Sequence, residues 1–200
     1  MTPTQERRVL AALLFGNFVT GTGVLLPAGM LSELANGFDV SVPVAGALVL
    51  VSGLVVALGA PLAAAFTSEI DRRWLLAASM LLYAVCHLAS ALAPSFVVLL
   101  AVRFVLAIPA AIFTPQAAAT IGALLPPERR ASAITMIFVG WSLATVGGMP
   151  IGGFIAHAFG WRVAFLIVAL LSALAWVGVA RTVPRGVRIA SLNLASWREV

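Results

Sequence analysis

Charge is what this sequence has least of. Only 10% of its 200 residues are Asp, Glu, Lys or Arg, while 62% are hydrophobic. A soluble fold of that composition would expose wide apolar patches, so a water-soluble globular domain is excluded. Cysteine is nearly absent: Cys86 stands alone, which excludes an intrachain disulfide and leaves a small membrane-buried side chain as its expected role. Two histidines, His87 and His157, and that one thiol form no ligand cluster, so no metal is expected. No phosphate-cradling glycine loop occurs in a soluble context.

What the chain does have is six long apolar runs, near Val9–Met30, Val44–Phe66, Trp74–Ala93, Phe96–Ile121, Ala131–Ala156 and Trp161–Ala180. Each is long enough to cross a hydrocarbon core. The runs are continuously apolar rather than alternating, which argues for helices and against a β-barrel. The expected fold is an all-α membrane protein with six transmembrane helices, occupying residues 1–182, followed by the start of a cytoplasmic linker at 183–200. The pair Arg7–Arg8 before an apolar run has the look of a signal sequence, but the run is long and no small-residue cleavage site closes it, so it is read as the first permanent helix.

Orientation follows from arginine. Ten of the twelve basic residues, Arg7, Arg8, Arg72, Arg73, Arg129, Arg130, Arg181, Arg185, Arg188 and Arg198, fall on the side that holds the N-terminus, and only Arg162 lies in an opposite connection. Positive short loops stay inside, so both termini are expected in the cytoplasm, with a bacterial-type inner membrane as the location. The net charge of +5 is spread over short loops with no basic stripe. Contact with anionic lipid explains it, and nucleic acid is not an expected partner.

The chain also echoes itself. Gly59-Ala60-Pro61-Leu62 in the second run returns as Gly148-Met149-Pro150-Ile151 in the fifth, 89 positions on; Pro27 and Pro115, and Arg73 and Arg162, keep nearly the same offset. Helices one to three therefore echo helices four to six. With three helices per copy the second copy enters the membrane from the opposite side, giving a 3+3 inverted repeat.

Arg103 is the charge inside a span. An arginine at the bilayer centre costs about 2.5–3.5 kcal/mol on insertion scales, and such residues usually face a cavity or a partner; snorkelling outward is the competing reading, because Phe96 is only seven residues away. Arg103, Ala107, Ala110 and Thr114 share one helical face, whose small residues would leave room for a water-filled path. Asn17, Thr20, Thr114 and Gln116 are candidate cavity-lining residues, each of which could instead pair with a neighbouring helix. Glu69, Asp71, Arg72 and Arg73 form a candidate cytoplasmic gate, since opposite charges at a helix end can pair in one state and part in another; a solvated loop is the alternative. Glu128, Arg129 and Arg130 are read in the same two ways, with Pro126 and Pro127 starting the fifth helix. In the fifth run, Pro150 should bend the helix while Gly148, Gly152 and Gly153 allow close approach.

Several of these segments together resemble a known family. Gly21-Thr22-Gly23, Gly29-Met30-Leu31 with Glu33, Ser41-Val42-Pro43-Val44-Ala45-Gly46, Gly59-Ala60-Pro61-Leu62, Leu99-Leu100-Ala101-Val102-Arg103, Pro126-Pro127-Glu128-Arg129-Arg130 and Gly160-Trp161-Arg162-Val163-Ala164-Phe165 are similar, in order and spacing, to the N-terminal six-helix half of a major facilitator superfamily transporter, within its arabinose-efflux-like and drug–proton antiporter branch. The resemblance implies export of a small molecule such as a sugar or drug by alternating access, with the proton as coupling ion and no other cofactor. It makes Gly148-Met149-Pro150-Ile151-Gly152-Gly153 the antiporter motif and hinge, and Arg103 the residue of proton or substrate coupling. It also implies partners: the lipid bilayer, a small-molecule substrate, and either a C-terminal six-helix half or a second copy in a homodimer.

The pattern is departed from in places. Val24 stands where related exporters often carry an acidic residue, and valine holds no proton. Ser68 replaces an aspartate and Ala64 a glycine in the loop region after the second helix. Six helices instead of twelve leave open a truncated product, an excerpted domain and a half-size protein, and a non-transporting membrane scaffold is the alternative function. An intramembrane protease is a remote one: Gly140-Trp141-Ser142-Leu143-Ala144 lacks the closing glycine, and Ser142 and His157 fall on one helix roughly 22 Å apart. Both histidines are expected to be structural or interfacial.

Overall fold

Six helices long and apolar enough to cross a bilayer follow one another in the computed structural model: α1 Pro3–Phe38, α2 Val42–Ala63, α3 Arg72–Ala91, α4 Phe96–Leu124, α5 Pro127–Phe159 and α6 Trp161–Thr182. The structure describes residues 1–67 and 69–188, with the side chains at 64 and 65 left aside. Expectations that fall on Ser68, on Arg198 and on the linker from 189 onward, and that on the side chain of Ala64, lie outside the described part. Among the described residues every regular element is helical.

Helices α1 and α5 run past their apolar runs at both ends, and caps rather than hydropathy set where several of the helices begin. The Thr2 hydroxyl accepts from the Gln5 amide and Pro3 fills the first turn of α1. Asp71 caps α3 by accepting from the Arg73 and Trp74 amides, and Ser95 caps α4 through the Val98 amide. Pro126 and Pro127 do open α5. Between α5 and α6 the chain reverses on a single residue, Gly160, whose φ of 92° suits glycine and strains other residues.

Packing repeats the sequence echo. The principal contacts are α2 on α4, α1 on α5, α3 on α6, α3 on α4 and α1 on α6. Exchanging helices one to three with four to six turns the first pair into the second and the fourth into the fifth, and leaves α3 on α6 unchanged. That invariance is what an inverted duplication produces.

The interior is sealed by side chains such as Leu13, Met80, Leu106, Phe113 and Phe165, all fully buried. Apolar residues also cover the outside. On α2, Leu50, Leu54, Leu58 and Leu62 form an exposed stripe at four-residue spacing, tolerable in lipid and costly in water. The chain is thus a multi-pass membrane protein. Cys86 is buried, as expected.

Candidate functional site

Two interrupted helices face each other. In α1 the α-helix stops at Leu25 and continues as a 3₁₀ turn, Leu26–Met30, before resuming at Leu31. The cause is Pro27: without an N–H it cannot take the carbonyl of Gly23, four residues back. In α5 the interruption is a π-helical turn, Ala144–Gly148, in which the Met149 amide reaches back to the Ala144 carbonyl. Inserting that wider turn just before Pro150 absorbs the donor that the proline lacks.

Gly148, Gly152 and Gly153 then lie against the break in α1. A Cβ at Gly148 would strike the Thr22 side chain, one at Gly152 the Leu26 side chain, and one at Gly153 the Gly29 carbonyl. The glycines of the motif therefore have a definite partner: they let α5 approach backbone that has left its regular helix. Gly147, one position away, has nothing within 4 Å of its added Cβ.

Arg103 supplies what the proline took away. Its Nη1 donates to the Gly23 carbonyl at 2.9 Å, its Nη2 to the Val24 carbonyl at 3.0 Å and its Nε to the Ser52 hydroxyl at 3.2 Å. The residue is 0% exposed. Snorkelling is excluded in this conformation. The guanidinium acts as a C-cap for the first half of α1, fastening α4 to α1 and α2, and it does so on neutral acceptors rather than on a carboxylate. The expected water-filled path along its face is not what the structure shows: Arg103, Ala107 and Ala110 are buried by neighbouring helices and Thr114 is half-buried.

Three of the candidate lining residues lie in hydrogen-bonded links. The Trp141 indole donates to the Thr114 hydroxyl at 3.0 Å, Thr114 donates to Asn17 Oδ1 at 2.9 Å, and Asn17 Nδ2 donates to the Ile137 carbonyl at 3.0 Å. That chain joins α5, α4 and α1. A separate apolar groove of about 330 Å³ runs between α1 and α5, with Leu14, Phe15, Phe18, Leu143, Gly147 and Ile151 among its lining residues. Gln116 is elsewhere, accepting from Arg72 Nη1 at 2.6 Å. Thr20 is buried, and its carbonyl accepts from the Tyr83 hydroxyl at 2.8 Å.

At the end of the bundle that carries the α2–α3 connection, Arg72 is buried, Arg73 half-buried and Glu69 exposed. Asp71 spends its carboxylate on backbone, accepting from the Arg73 and Trp74 amides and also from the Gly186 amide, while the Arg72 amide donates to the Val187 carbonyl at 2.9 Å. The candidate gate is thereby tied to the chain that leaves α6. Arg129 is not free in solvent: both its terminal nitrogens meet the buried Glu6 carboxylate, at 3.1 and 2.5 Å. His157 sits at the end of α5, 3.4 Å from Glu33.

Sequence reasoning missed Glu6, Ser52, Tyr83 and Trp141. Glu6 carried a usable signal, an acid just ahead of an apolar run that also has arginines to neutralise. The other three contribute single polar atoms to otherwise apolar runs, a pattern too common in membrane helices to stand out.

An inverted pair of three-helix units, with broken helices meeting where a buried charge caps them, is the architecture of a secondary transporter. A family model described as the Major Facilitator Superfamily matches residues 13–198, and the chain belongs to that superfamily. It is 31% identical over 93% of its length to a probable sugar efflux transporter of Mannheimia succiniciproducens, covering 46% of that protein. It is 34% identical over 83% of its length to a chloramphenicol resistance protein of Streptomyces lividans, covering 42% of it. Among solved structures, a peptide transporter POT in complex with sulfate aligns over 99% of this chain and 42% of its own, with a TM-score of 0.79 at 15% identity. That last likeness shows the fold alone. The chain spans about half the length of the curated relatives it matches.

Proposed function

We propose that this chain is the six-helix half of an exporter that moves a small molecule, a sugar or a drug, across the cytoplasmic membrane by alternating access coupled to protons. The observation that carries the reading is the meeting of the broken α1 with the bulged α5 over a glycine face. Such an interface holds few regular hydrogen bonds to lose when one helix slides past the other. Sugar efflux and chloramphenicol resistance in the names of relatives favour cargo with both polar and apolar parts. The polar Trp141–Thr114–Asn17 links and, separately, the apolar groove between α1 and α5 supply groups of both kinds. Arg103 serves in this reading as the latch on the α1 break, and Glu69, Asp71, Arg72 and Arg73 as the inner gate.

The termini lie in the cytoplasm in this reading, on the strength of the arginine distribution. Helices α2 and α5, the least buried of the six spans, offer faces to six further helices, supplied by a C-terminal half or by a second copy about an axis along the membrane normal. Proteoliposomes of the purified protein, loaded with radiolabelled arabinose or chloramphenicol, test the proposal. Release faster than from protein-free vesicles, changed by a pH difference, is the expected outcome. No release of either compound, nor of a broader panel, from a folded protein would favour a membrane scaffold instead.

A further inference from the structure

Proton coupling needs a group that gains and loses a proton inside the bundle, and Val24 is not one. Ionisable side chains of the spans other than Tyr83, Cys86, His87 and Arg103 lie within about a turn and a half of a helix end. Of these four types only histidine ordinarily changes charge near neutral pH.

His87 sits on α3 against α1 and α6. It is 0% exposed, and neither ring nitrogen has a hydrogen-bond partner among the described residues. The Thr20 and Thr22 hydroxyls on the facing helix are unpartnered as well. Tyr83 stands edge-on to the imidazole at 4.6 Å between ring centroids, and Phe165 of α6 lies 5.9 Å away. The approach is close because α1 presents glycine there: a Cβ at Gly23 would strike both His87 Nε2 and the Tyr83 hydroxyl. A purely structural side chain at this place would be better as leucine or methionine, which bury no unsatisfied nitrogen.

Gly23 is also the residue whose carbonyl holds Arg103 Nη1. Its one side carries the guanidinium and its other side the imidazole. The groups that meet His87 by ring contact, close approach or charge are Tyr83 from its own helix, Arg103 from α4, Phe165 from α6 and Gly23 from α1. None is a carboxylate. The packed arrangement therefore accommodates a neutral ring, and a second positive charge can be held only if α1 and α3 part and water enters.

We propose that His87 is the proton-binding residue of this bundle, and that its protonation releases the break in α1 from α3. The use of that step in transport rests on the exporter reading above; the step itself does not. The atoms balance simply: one proton from water binds a ring nitrogen, and the same proton leaves on the other side of the cycle.

Cys86, buried beside His87 and the sole cysteine, reports on the opening. The protein in lipid nanodiscs is labelled with N-ethylmaleimide from about pH 8 to about pH 5.5, spanning the usual histidine range, with each rate divided by that of the same protein denatured in detergent. The expected result is a normalised rate that climbs on acidification, by up to about tenfold per pH unit for one linked proton. The climb should vanish in His87→Gln and His87→Asn and persist in His157→Gln. A flat wild-type profile, or an equal climb in the His87 variants, overturns the proposal. If both variants label at the denatured rate at pH 8, they have unfolded, and nitrogen NMR of labelled histidine in the wild type decides: an imidazolium for His87 at the acid end supports the site, and a neutral ring throughout overturns it. No cargo is needed, so a protein that exports nothing can still pass, and one that exports can fail.

Discussion

Replacing Arg103 by glutamine removes the forked donor that holds the Gly23 and Val24 carbonyls, and leaves buried acceptors without partners. A loss of about 1–3 kcal/mol per orphaned group is expected, seen as a lower unfolding temperature in detergent together with impaired release from vesicles. Gly148→Ala should also destabilise, by about 1–3 kcal/mol, because its methyl group enters the space of Thr22. Combining it with Thr22→Ala should restore part of the loss, whereas Gly147→Ala, which meets nothing within 4 Å, should stay within about 0.5 kcal/mol of wild type. Equal costs at Gly147 and Gly148 would mean that the close approach is not what the glycine serves. Arg103 was legible in the sequence as a charge out of place, and the glycines as a cluster around a proline. Their partners were not, since carbonyls and a threonine hydroxyl become special only once another helix lies against them. The polar candidates Asn17, Thr114 and Gln116 illustrate the same limit: each is hydrogen-bonded across helices, but Gln116 serves the buried Arg72 and not the Asn17 chain.

The helices themselves were easier to read than their interruptions. Each of the six apolar runs is a helix, because a continuous apolar stretch of that length has one way to satisfy its backbone in lipid. Their ends were read less well: α1 reaches from Pro3 to Phe38, since caps such as Thr2 lie outside the apolar core, whereas α3 stops at Ala91, short of the expected Ala93. The bend expected at Pro150 proves to be a π-turn over Ala144–Gly148, and hydropathy carries no mark of hydrogen-bond register. The 3₁₀ turn at Leu26–Met30 follows from Pro27. Pro27→Ala gives Gly23 an intrahelical donor in competition with Arg103, so it should straighten α1 at little cost in stability while slowing release from vesicles. Amide exchange over residues 23–30, slower in Pro27→Ala than in wild type, would report the straightening. Slower exchange with unchanged release would show that the break has no part in the cycle.

Across the assembled bundle, the exchange of helices one to three with four to six preserves the five principal helix pairings, as the recurring Gly-x-Pro segments had suggested. The exterior of α2 to α6 is apolar, with charges gathered toward the ends, so a bilayer is the medium that the fold demands. Sequence could not foresee that Asp71 and Arg72 would clasp the chain beyond α6 at Gly186 and Val187, because that contact joins residues more than a hundred positions apart. An inverted repeat makes one demand that no soluble packing makes: equivalent positions of the two copies must lie on opposite sides of the membrane. Arg73 and Arg162, near the starts of α3 and α6, are such a pair. On a background in which Cys86 is alanine, single cysteines at these positions should respond oppositely to a membrane-impermeant maleimide applied to whole cells. The cysteine at 162 should label at once and that at 73 only after permeabilisation; labelling of both from the same side would contradict the inverted, membrane-crossing fold on which the transport reading stands.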